Sequence, residues 1–247
     1  MMSAKHWTQL GLLKGNTYQA LKSIKWMNDK PSHNQPYNPT PIEHIANVIT
    51  HGIWVLPSIY GGLLLLFNSP TSSHFFCALI YSLSLIMCFT VSTLFHTVFF
   101  SNRNRFLRVI LHRCDRAMIY IFIAGSYFPW VFLEPLPRNI WPYHLWWIVW
   151  VLALIGILYQ QTFYEKYKSF ETLMYVFVGL GPALVILQHK SLGPGEFMLK
   201  LGGALYILGI TFFKCDGKIP CAHAIWHLFV AGAAVSHYFA ILNHLYS

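Results

Sequence analysis

Seven apolar stretches, each about as long as a bilayer is thick, constrain what this chain can become. They fall at roughly 45–67, 75–100, 116–133, 144–164, 170–188, 197–213 and 222–245. A helix rises about 1.5 Å per residue, so about 20 apolar residues cross a hydrocarbon core of ~30 Å. Inside that core each backbone N–H and C=O needs a partner within the chain, which helices provide. The fold class that follows is all-α: a polytopic membrane protein built as a seven-transmembrane helix bundle. Composition agrees, since 55% of the 247 residues are hydrophobic and only 10% are charged, where soluble domains carry about 25% charged residues. The fifth and sixth runs are short, and the sequence leaves open that they merge or partly re-enter.

Lys and Arg between the runs set the orientation, because cytoplasmic loops carry the excess. Five precede the first run (Lys5, Lys14, Lys22, Lys25, Lys30) and five lie between the second and third (Arg103, Arg105, Arg108, Arg113, Arg116). Lys166, Lys168, Lys214 and Lys218 fall on the same side, and only Arg138, Lys190 and Lys200 on the other. This places the N-terminus in the cytoplasm and the C-terminus outside or in a lumen. Residues 1–41 read as a cytoplasmic N-terminal segment and 42–247 as the membrane domain. Leu10, Leu13, Leu21 and Ile24 share a helical face with lysines beside it, which suits an interfacial helix; a basic tail fits equally well. The net charge of +9 forms no basic stripe interleaved with aromatics, so nucleic acid is not an expected partner. Five cysteines, scattered singly, make no disulfide framework. Residues 1–41 lack the apolar core of a cleavable signal, and Pro39 removes the glycosylation acceptor from "NPT".

The last run, "AHAIWHLFVAGAAVSHYFAIL", carries His223, His227 and His237. Imidazoles in hydrocarbon are costly and usually serve a function. His223 and His227 stand at i and i+4, on one face of the helix. The second run is antiparallel to it, so His96 in "STLFH" reaches the same depth, with Ser92 one turn away. Asp115 in "HRCDRAMIY" lies at the rim of the third run or just within it. Three neutral imidazoles leave one position open on Zn²⁺, the arrangement of a catalytic site. "HAIWH" lacks the glutamate of HExxH, so a base must come from elsewhere. Asp115 is the carboxylate at hand. Histidines that hydrogen-bond between helices explain the same spacing, and the residues alone leave both readings open. His237 lies about 15 Å deeper along the helix, too far for the same ion.

The ordered set "EHIANVITHG" (43–52), "STLFH" (92–96), "CDRAMIYIFIAGSYFPW" (114–130) and "HAIWHLFV" (223–230) resembles the progestin and adipoQ receptor family, with its hemolysin III-type members. Within it, "FFKCDGKIPCAHAIWHLFV" and "YEKYK" are most similar to the branch of monocyte to macrophage differentiation factor. The resemblance covers roughly residues 40–245. It implies zinc held by His96, His223 and His227, with Asp115 on the water and Ser92 as the family's serine. It also implies a supporting polar face of Glu43, Asn47 and His51.

Two functions remain. One is a zinc-dependent, ceramidase-like lipid amide hydrolase, with a ceramide-like membrane lipid as substrate and Asp115 and Ser92 as catalytic residues. The other is a signalling receptor or scaffold with structural zinc and cytoplasmic protein partners. The expected location is an endomembrane (Golgi, late endosome or lysosome) or the plasma membrane. The orientation has a direct check: tags at the two termini, probed with and without permeabilisation, should report opposite sides. Both tags on one side would remove a span and separate His96 from His227.

Overall fold

The computed structural model describes residues 25–30, 38–101, 104–189, 192–193 and 195–247. Among these the chain forms helices and no strand: α1 Pro41–Gly52, α2 Val55–Phe67, α3 Ser72–Ser101 and α4 Arg105–Leu133. A 3-10 turn at Trp141–His144 leads into α5 Leu145–Thr162, followed by α6 Lys168–His189, α7 Gly195–Phe213 and α8 Ala222–Leu245. Seven units are long and apolar enough to span a membrane: α1 with α2, α3, α4, α5 with its 3-10 turn, α6, α7 and α8. The all-helical, multi-pass architecture is the expected one, and the fifth and sixth spans are separate helices. The interfacial helix expected at Leu10–Ile24 lies outside the described residues.

Two boundaries differ from the hydropathy reading. The first span is broken between Gly52 and Val55. Pro57 has no N–H, and a proline ring collides with the carbonyl four residues earlier, here that of Ile53. Pro129 and Pro182 instead sit within continuous α4 and α6. The second difference is that α4 begins at Arg105, well before 116. Its start is set by a cap: the Asn104 side chain accepts the Leu107 N–H at 3.0 Å, the usual N-cap role of asparagine. Arg105, Arg108, Arg113 and Arg116, expected between the spans, are therefore helical. Asp115 lies almost three turns inside α4, at about 3.6 residues per turn.

Packing follows the chain around the bundle. α3 packs on both halves of the first span and on α4, α4 packs on α5, and α7 packs closely on α8. α8 returns to α1, so the last span meets the first. α6 leans on α5 and lightly on α4, yet it has at most marginal contact with α7, the next helix in the chain. Tyr81, Leu85, Phe89, Ala231, Ala234 and Ile241 form part of the buried core.

One charged network is built into this frame. The Arg116 guanidinium grips both oxygens of Glu171 and also bonds Glu165. The Tyr175 hydroxyl donates to Glu171 at 2.7 Å. Buried ions are costly unless paired and hydrogen-bonded, and this forked pairing joins α4 to α6 across a lightly packed interface.

The α7–α8 interface depends on a missing side chain. A Cβ at Gly209 would stand 2.7 Å from Phe229 Cβ and 2.8 Å from the Trp226 ring. Gly209→Val should therefore overpack, costing about 1–3 kcal/mol and lowering the thermal midpoint in detergent. Gly181→Ala, whose Cβ would meet nothing within 4 Å, serves as the comparison and should leave the midpoint in place.

Candidate metal centre

α8 presents His223 and His227 one turn apart, with ring centroids 4.7 Å from each other. From α3, five residues before its end, His96 projects between them. Its ring lies 5.4 Å from His223 and 5.1 Å from His227. One ligand atom from each of the three lies within 4.8 Å of the others, so the cluster could hold a metal ion. Zinc ligands at about 2.1 Å in a tetrahedron stand about 3.4 Å apart, so small ring rotations close the difference.

The surroundings fit such an ion. His96 is 0% exposed, and neither of its ring nitrogens has a hydrogen-bond partner among the described residues. A buried polar atom left unsatisfied costs about 1–3 kcal/mol, and coordination removes that cost. His227 is prepared for ligation by Thr50. The Thr50 hydroxyl donates to the Ala46 carbonyl at 2.7 Å, so its oxygen accepts from His227 Nδ1 at 3.1 Å. That assignment leaves the Nε2 lone pair for a metal, as outer hydrogen bonds on ligating histidines generally do. His51 stacks on His227 with centroids 3.7 Å apart, and its Nδ1 meets Ser92 Oγ at 2.8 Å.

Ser92 and Asp115 line the same cavity wall. Thus His96, His223, His227, Ser92 and Asp115 are brought into one neighbourhood, and the face of Glu43, Asn47 and His51 backs it. Glu43 and Asn47 are 0% exposed and His51 is 4% exposed. His237 stays apart, with Nε2 3.3 Å from the Leu199 carbonyl.

Two residues were missed by reasoning from sequence. Thr50 adjoins the Glu-x3-Asn-x3-His face, and its only signal is that adjacency. Asp216 is the sole acid between the sixth and seventh spans. Its Oδ2 lies 3.9 Å from His223 Nδ1, so Asp115 is not the only carboxylate near the cluster. Burial, reinforced by Glu43 and opposed by Lys168, pushes the Asp216 carboxyl up to about 7.

Comparison with known proteins identifies the family. The family model described as "Haemolysin-III related" matches residues 40–238. The chain belongs to this family. It is 43% identical over 227 residues to the human (Homo sapiens) monocyte to macrophage differentiation factor, a match covering 90% of this chain and 92% of that protein. It is 33% identical to hemolysin-3 of Bacillus cereus, over 82% of this chain and 92% of that one. A Bacillus subtilis hemolysin-3 homolog is 36% identical over 81% and 93%. These are the family and branch that the sequence motifs resemble.

Two measurements test the cluster. Elemental analysis should find about one metal ion per purified chain, absent from the His96/His223/His227 triple alanine variant; unchanged content would remove the site. Thr50→Val frees His227 Nδ1 without touching a ligand, and should weaken metal binding by about tenfold, the low end for an outer-shell change.

Proposed function

We propose that this chain is a zinc-dependent hydrolase of membrane lipid amides, with a ceramide-like lipid as its substrate class. One observation carries the reading: the histidine cluster and a lipid-sized cavity share a wall. His223, His227, Ser92 and Asp115 line a cavity of about 990 Å³, at the upper end of the ~300–1,000 Å³ usual for ligand sites. Its other walls include Phe122, Ile123, Ile186, Leu199, Ile207 and Val230. These apolar side chains suit acyl chains. α6 and α7 line it from two sides while hardly meeting each other, which supports entry sideways from the bilayer.

His96, His223 and His227 would hold Zn²⁺, which supplies Lewis acidity and brings the pKa of water toward about 7. Asp115 accepts the proton as water adds to the amide carbonyl carbon, and returns it to the leaving nitrogen as the C–N bond breaks. Ser92, bonded to His51 and lining the same cavity as Asp115, would orient that carboxylate. The products are a fatty acid and an amine. The protein would work in an endomembrane or the plasma membrane with its N-terminal face toward the cytoplasm.

A second reading has its own support. α3 and α8 are not a closely packed helix pair, so an ion between His96 and α8 would be a main link between them. Zinc would then be a clamp in a signalling scaffold with cytoplasmic partners. The differentiation-factor relative is named for a cellular role and not for a reaction.

Asp115→Asn separates the two. As a hydrolase, the variant keeps its zinc and loses at least about a hundredfold in ceramide hydrolysis, the lower range for a general acid–base group. Unchanged hydrolysis would remove Asp115 from the mechanism, and no hydrolysis by the wild-type chain on a ceramide panel would favour the clamp. Chelation gives a further expected outcome: because zinc binds only the folded bundle, its removal should lower the thermal midpoint in detergent and its return should restore it.

A further inference from the structure

Glu43 is wholly buried, and its carboxylate collects main-chain N–H groups from three parts of the chain. It accepts from Thr40 at 2.8 Å, from Asn28 at 3.3 Å and from Cys221 at 3.3 Å. The first bond belongs to a capping box at the start of α1, completed by Thr40 Oγ1 accepting the Glu43 N–H at 3.4 Å. The bond to Cys221 does something else. Cys221 is the N-cap of α8, sits at a left-handed φ of 54°, and its side chain caps nothing. A helix start leaves N–H groups without partners and carries about half a positive charge. Glu43 supplies both an acceptor and the opposite charge from another helix, so one carboxylate begins α1 and α8 together.

The position of this anchor relates it to the histidines. His223 follows Cys221 by two residues. Thr50 and His51, which hold His227 from the other side, lie about two turns beyond Glu43 on α1. The separation of α1 and α8 at the cluster is therefore fixed at Glu43. Asn28 adds a third strand of connection. It is 2% exposed, and its Oδ1 accepts the Gly217 N–H at 3.1 Å. Gly217 has φ 74°, and the Lys30 backbone occupies the space its Cβ would need. The adjoining Asp216 is the residue 3.9 Å from His223.

We propose that Glu43 is a positioning residue of the metal centre, and that it couples segment 25–30 to metal binding at His223 and His227. The proposal rests on the metal-site reading above. Coupling is reciprocal: a metal that fixes the start of α8 also tightens the bonds that hold Asn28.

The test uses the purified full-length chain with Co²⁺ as probe, read by its visible absorption and by competition with a chelator. If the wild-type chain binds no Co²⁺, the metal-site reading fails and this proposal fails with it. Where it binds, Glu43→Gln should raise the dissociation constant about tenfold and alter the Co²⁺ spectrum. Asn28→Ala, outside the spans, should act in the same direction. Co²⁺ should also slow hydrogen exchange in peptides covering 25–30 and 214–221 of the wild-type chain. Wild-type affinity and spectrum in both variants would overturn the positioning role, and if Glu43→Gln does not fold, Asn28→Ala decides alone. Exchange in 25–30 indifferent to Co²⁺ would overturn the coupling.

Discussion

A polar side chain in hydrocarbon has no water to turn to, and most features of this molecule are answers to that constraint. Thr93, Thr97 and Ser236 return their hydroxyls to carbonyls of their own helices. Arg116 is admitted because Glu165 and Glu171 meet it. Tyr238 donates to the Gly61 carbonyl at 3.0 Å, which also ties the last span to the first. Among the described residues Tyr81, Tyr120 and Trp130 also leave a buried polar atom unmet, but only His96 leaves two, both its ring nitrogens. That doubly unmet ring directs attention to the centre of the bundle's N-terminal end.

The polar groups around His96 are ordered in layers. His223 and His227 face it directly. Thr50, His51 and Asp216 sit behind those rings, and Glu43 lies behind them again, gathering three chain segments. Each layer limits the freedom of the one in front, as preorganised sites require. The break at Ile53–Trp54 lets α1 turn independently of α2, so this short helix can follow α8 while α2 continues against α3.

How far the sequence carried this picture depended on the range of the interactions involved. The bounds of α8 were readable because its apolar run begins and ends within the chain's own local pattern. The start of α4 was not, because hydropathy treats Arg105–Arg113 as an end while Asn104 caps a helix there. The convergence of His96 with His223 and His227 followed from helical spacing and antiparallel direction alone. Thr50 was hidden, since its bond to His227 spans 177 positions and nothing local marks a threonine as the partner of a distant ring. Asp216 sat in a loop whose course no periodicity describes.

The loose boundary between α6 and α7 has a mechanical consequence. Helices that pack closely resist separation with their own side-chain contacts, but this seam has few of them. Widening it displaces lipid, so the work is done largely against the lateral pressure of the acyl chains. The width of the seam is then a property of the surrounding membrane as much as of the polypeptide. A bilayer with more tightly ordered chains squeezes the two edges together, and a looser one lets them part.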